Sequence, residues 1–119
     1  MFRKSPIIFA MAVFIAGCEN DSAQDLQGSV PTEDITYANH VRTIINNNCI
    51  VCHGTIPANG APMSLTSFEQ VREAVQSRGL IDRISRPEGS PGLMPNGGPR
   101  LPQNLIDIIV QWNADGLQP

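Results

Sequence analysis

The 119-residue chain has only three cysteines and two histidines, and two of those cysteines and one histidine fall in the pentapeptide Cys49-Ile50-Val51-Cys52-His53. Two thiols three positions apart reach the two vinyl groups along one edge of a porphyrin, each adding to form a thioether. The next residue is then held beneath the iron, where an imidazole nitrogen supplies the proximal axial bond. The spacing therefore predicts one covalent haem c, attached at Cys49 and Cys52, with His53 on its iron. The same residues admit a thioredoxin-like dithiol, half of a zinc site or a plain disulfide. A dithiol enzyme wants a βαβ setting and structural zinc a second pair of ligands. Neither pattern is visible, since His40 is the only other histidine and no acidic cluster stands near.

An iron held by His53 keeps its opposite face open, and what fills that position decides the function. The candidates are Met94, Met63, His40 or no ligand. Met94 sits in Gly92-Leu93-Met94-Pro95-Asn96-Gly97-Gly98, where Pro95 lacks an N–H and fixes its φ, so that the loop can hold a thioether at a set distance. Met63 follows His53 by only ten residues, with Leu65 and Phe68 beside it, which favours core packing. His40 shares a helix face with Tyr37, Val41 and Ile44, which favours a hydrogen-bonded histidine at the core edge.

The elements that must position these residues read as helices. Thr36 can cap a helix from Tyr37 to about Asn47, with Tyr37, Val41, Ile44 and Ile45 at i, i+4, i+7 and i+8; Asn46 to Asn48 stop it and the pentapeptide follows. Residues 54–62, GTIPANGAP, form turns. Ser67 to Gln70 fit a capping box opening a helix to about Ser77, with Phe68, Val71 and Val75 on one side. Leu80, Ile81 and Ile84 suggest a further short helix. The loop 86–102, RPEGSPGLMPNGGPRLP, is long and without apolar periodicity, a mark of function. The last helix runs from about Pro102 to Asp115, with Pro102 in its first turn, Leu105, Ile108, Ile109 and Trp112 as its stripe and Gly116 ending it; it is expected to cross the first helix. The fold class expected is all-α, three to five short helices around the haem.

Residues 1–17 read as an export signal: Arg3 and Lys4 make a basic start, and Ile7 to Ala16 an apolar run too short to span a bilayer comfortably. The run ends in Ile15-Ala16-Gly17-Cys18, which resembles a bacterial lipobox, with Ile15 where such signals usually have Leu. Acylation of Cys18 would account for the odd cysteine; an ordinary cleaved signal followed by a stray thiol is the alternative. Residues 18–35 are polar and acidic, a tether of roughly 20 Å as a coil, and 36–119 form the domain. Cleavage after residue 17 removes Arg3 and Lys4 and moves the formal charge from -3 to -5. No basic stripe remains to neutralise phosphates, which disfavours nucleic acid. Long-range steering favours a redox partner with a basic docking face.

From Tyr37 to Gly116 the chain resembles the small monohaem class I-like cytochrome c domains of bacteria. The resemblance is carried by a Tyr and apolar helix ending in C-x-x-C-H-G, a Leu-x-x-Phe segment and helix, Met-Pro followed by glycines, and a final helix with Trp near a terminal Gly. It implies haem c, His53 and Met94 as the axial ligands, assembly outside the cytoplasm and electron transfer. The NGGP that follows Met94-Pro95 departs from close relatives, which often have another proline there. A one-electron carrier, tethered to a periplasm-facing membrane through lipid on Cys18, is the reading these features favour, as a monomer or as a subunit of a membrane oxidoreductase. The rivals are a peroxidase-like enzyme or ligand-binding protein with an open sixth position, and a permanently docked electron-transfer subunit. Arg83, Arg86 and Arg100 are candidates to pair with haem propionates or to stand solvated. With about 85 ordered residues, a core of side chains alone is marginal, so the apo-protein is expected to be poorly folded.

Overall fold

A computed structural model of the chain describes residues 29–119. The basic and apolar start of the chain and Cys18 lie outside the described residues. A π-helical turn, Tyr37–Val41, runs directly into α1, Arg42–Asn48; α2 spans Phe68–Ser77, α3 Leu80–Ser85 and α4 Gln103–Ala114. There is no strand among the described residues, so the all-α expectation holds at the level of four short helices and a turn.

Each boundary has a local cause. Thr36 is extended, and its hydroxyl accepts the Asn39 N–H at 3.2 Å. The first turn is wider than the α-helix expected from the sequence: Arg42 N–H reaches the Tyr37 carbonyl and Val41 N–H the Thr36 carbonyl, both five residues back. His40 folds over this turn and accepts the Thr36 N–H on Nδ1 at 3.3 Å. The capping box of α2 is present in both directions, Ser67 Oγ accepting from Gln70 N–H and Gln70 Oε1 accepting from Ser67 N–H. Pro102 is the N-cap of α4, one position before its first turn, where its missing N–H costs no helical bond. At the other end of α4, Leu117 N–H bonds the Trp112 carbonyl at 2.9 Å and Gly116 N–H the Asn113 carbonyl at 3.3 Å, with Gly116 at positive φ. That pair of bonds is a Schellman motif, and Leu117 is buried as its apolar companion.

The core forms where the π-helical turn, α2 and α4 meet. Tyr37, Phe68 and Trp112 contact one another at centroid separations of 5.6, 6.1 and 6.2 Å, and Trp112, Ile45, Val71 and Ile109 are almost wholly enclosed. In α4 the burial is broader than the expected stripe: Ile106 is buried and Leu105 only half-buried. The Gln118 carbonyl accepts from both Tyr37 N–H and Trp112 Nε1–H, at 2.9 and 2.7 Å. That shared acceptor ties the segment after α4 to the π-helical turn.

Candidate functional site

A cavity of about 550 Å³ is walled by four stretches: residues 48–53, the loop 59–65, α3 with Arg78 before it, and Met94-Pro95-Asn96. The volume lies within the range that encloses a cofactor-sized ligand. Cys49, Cys52, His53, Met63 and Met94 all line it; His40 does not.

The pentapeptide is a continuation of α1 by bent turns. Cys49 N–H still bonds the Ile45 carbonyl at 2.8 Å, and the Cys49 carbonyl then accepts from both Cys52 and His53 N–H, at 3.2 and 2.9 Å. This puts both thiols and the imidazole on the wall of one space. Gly54 completes the turn because a Cβ there would stand 2.9 Å from the Ile50 carbonyl oxygen. Both thiols are free and half-buried. Burial pushes the Cys49 thiol up to about 11, opposite to the depression that makes a redox dithiol reactive. Cys52 Sγ accepts a hydrogen bond from Asn59 Nδ2 at 3.4 Å.

His53 is buried, 9% exposed. Its Nδ1 lies 2.8 Å from the Met63 carbonyl oxygen, and a carbonyl can only accept, so Nδ1 carries the proton. In the neutral ring Nε2 therefore holds the lone pair. Nε2 finds no partner among the described residues, yet no buried side-chain nitrogen there is left sealed and unpaired, so Nε2 opens onto the cavity. The backbone grips the residue as well, Leu65 N–H donating to the His53 carbonyl at 2.8 Å. A histidine with its tautomer set by a backbone carbonyl and its other nitrogen free is arranged to ligate a metal. Among the described residues no three His, Cys, Asp or Glu side chains converge as a metal centre, so a zinc site finds no further ligands here.

The two methionines differ. Met63 supplies the carbonyl that accepts from His53 Nδ1, and its side chain, like that of Met94, lines the cavity and packs partly against the core. Met94 reaches the cavity from the loop after α3, its N–H bonded to the Arg83 carbonyl at 3.1 Å. His40 is otherwise engaged, Nδ1 accepting from Thr36 N–H and Nε2 bonded to Glu33 Oε1 at 3.3 Å. Of the arginines, Arg83 and Arg78 line the cavity, while Arg86 and Arg100 are bonded to loop and helix carbonyls away from it.

Sequence reading missed the parts played by the Met63 carbonyl, Asn59 and Arg78. Asn59-Gly60 is a turn signal that marks the first of these chain reversals; a carbonyl's role leaves no such mark. Also unremarked is that residues 43–68 contain no Asp, Glu, Lys or Arg, so the Cys-bearing wall is uncharged and the acidic residues lie on other segments.

Set against known protein families, characterised proteins and solved structures, the chain matches none of them.

Proposed function

We propose that the cavity holds one covalently attached haem c and that the protein is a membrane-tethered one-electron carrier with a cytochrome c-like fold. The observation that carries this reading is the joint placement of Cys49, Cys52, the lone-pair nitrogen of His53 and Met94 on one largely apolar cavity. The residues fit the group: two thiols for thioethers, an imidazole in the ligating tautomer, a soft thioether, and aliphatic walls from Leu65, Leu80 and Ile84. Bound there, haem would supply the cycling of iron between Fe(III) and Fe(II).

The chain's own residues set the conditions for that chemistry. Cys49 and Cys52 would fix the orientation of the group covalently. The Met63 carbonyl holds the His53 ring in place and raises its basicity. Met94, reaching the same cavity from the loop after α3, would supply the soft thioether to the iron. A His/Met pair raises the potential relative to two histidines, and apolar walls that exclude water raise it further. Arg78 and Arg83, at the cavity wall, would be the guanidiniums to meet propionates; Arg78 also pairs with Glu73 at 3.2 Å.

The peroxidase-like alternative needs an acid–base group over the iron, and among the described residues the cavity lining has no carboxylate and no histidine besides His53. Attachment through lipid on Cys18, export by residues 1–17 and exchange with a redox partner having a basic docking face complete the proposal.

The test is covalent attachment itself. Co-expressed with a c-type maturation system, the protein should keep its haem through denaturing electrophoresis. Cys49→Ser and Cys52→Ser together should abolish this. Loss of the haem from the parent protein on denaturation would overturn the reading.

A further inference from the structure

Three arginines surround the segment that carries Met94, and each is bonded to it or to its base. Arg86 is half-buried. Its Nη2 and Nε bond Asp82 Oδ2 one turn earlier in α3, at 2.7 and 3.2 Å, and its Nη1 bonds the Pro91 carbonyl at 2.7 Å. Arg83 gives its main-chain carbonyl to Met94 N–H and its Nη1 to the Gly92 carbonyl at 3.3 Å. Gly92 has φ 75°, and a Cβ there would collide with Nη1 of both arginines, so the turn before Met94 is built around the two guanidiniums. From the far side Arg100 Nε bonds the Arg86 carbonyl at 3.0 Å, and Arg100 N–H bonds Glu88 Oε2 at 2.6 Å.

Resting on the haem reading above, we propose that Arg86, oriented by Asp82, is the positioning residue for the sixth iron ligand. By holding the Pro91 carbonyl it sets how often the Met94 thioether leaves the iron while the rest of the domain stays folded. Met94 has one main-chain bond of its own, to Arg83, so opening the loop requires that bond and the guanidinium contacts at Pro91 and Gly92 to break. None of the aromatic core contacts need break with them. Loop release is thus a local opening, separable from global unfolding. Of the guanidinium contacts, the one from Arg86 is the shortest and the only one held in place by a carboxylate. A charge-assisted hydrogen bond of this kind shifts such an opening equilibrium by about tenfold or more.

The experiment compares the haem-loaded parent with Arg86→Met, which keeps an apolar stem and removes every donor, and with Arg86→Lys and Asp82→Asn. Three readouts separate the roles: the methionine-to-iron charge-transfer band against denaturant, the rate of carbon monoxide uptake by the ferrous protein, and Trp112 fluorescence released on global unfolding. Arg86→Met should retain haem and band in buffer, take up carbon monoxide about tenfold faster, and lose the band at lower denaturant than it loses the fold. Asp82→Asn should shift the same way by less, and Arg86→Lys should recover part of the loss. Uptake and band midpoint unchanged from the parent would overturn the proposal, as would band and fluorescence midpoints moving together by the same amount. A parent protein that lacks haem or band defeats the haem reading and this inference with it, and is recognised before any substitution is made.

Discussion

Cys49 and Cys52 look equivalent in the pentapeptide, and the folded chain treats them differently. Cys49 packs against the core, where burial pushes its thiol up to about 11, while Cys52 receives the Asn59 amide. Their spacing and that of His53 were legible because all three lie on one local turn, and local spacing survives without knowledge of the fold. The Met63 carbonyl was not legible, because any residue at that position presents the same oxygen. At Met94, truncation to alanine should leave haem covalently attached and open the iron to carbon monoxide or cyanide; an unchanged ligand field in the absorption spectrum would remove Met94 from the site. At Gly54, alanine must displace the Ile50 carbonyl inside the attachment turn. Gly54→Ala should cost about 1–3 kcal/mol in chemical denaturation of the holo-protein, and no loss would mean the turn relaxes freely.

Among the elements, α2 was the most legible from sequence, because its capping box is a reciprocal pair of side-chain bonds three residues apart and needs no tertiary partner. Ser67→Ala should cost about 1 kcal/mol of stability. The stop of α4 was legible for a similar reason, with Gly116 placed to take a positive φ. The π-helical turn was hidden, because Tyr37, Val41, Ile44 and Ile45 fall on one face whether the first turn is wide or narrow. Ile106 was hidden because α4 contacts both the π-helical turn and α3, and a helix touched on two sides buries more than one stripe. Trp112 joins α4 to the π-helical turn and α2 through its ring contacts with Tyr37 and Phe68, and to the C-terminal segment through Nε1. Trp112→Ala should remove about 3–5 kcal/mol, a loss that would leave a domain of this size largely unfolded in a thermal melt.

For the molecule as a whole, the cavity sits where a larger domain would place more of its core. Leu65, Leu80 and Ile84 line it while also belonging to the buried cluster, so the same side chains that hold the helices together face the space assigned to haem. Charge is distributed unevenly. The wall carrying the cysteines is neutral, and the acidic residues elsewhere dominate the net charge. Exchange with a basic partner should therefore slow as salt is added, through weaker steering. The proposed membrane attachment rests on Cys18, which lies outside the described residues. Cys18→Ser should move the protein from the membrane to the soluble fraction, and retention on the membrane would count against lipidation. The most direct measurement on the molecule is an absorption spectrum of the matured protein, oxidised and then reduced under carbon monoxide. A covalent haem with a methionine-to-iron charge-transfer band and little response to carbon monoxide is the predicted result. A haem without that band that takes up carbon monoxide readily, or no haem at all, would contradict a closed His53/Met94 electron carrier.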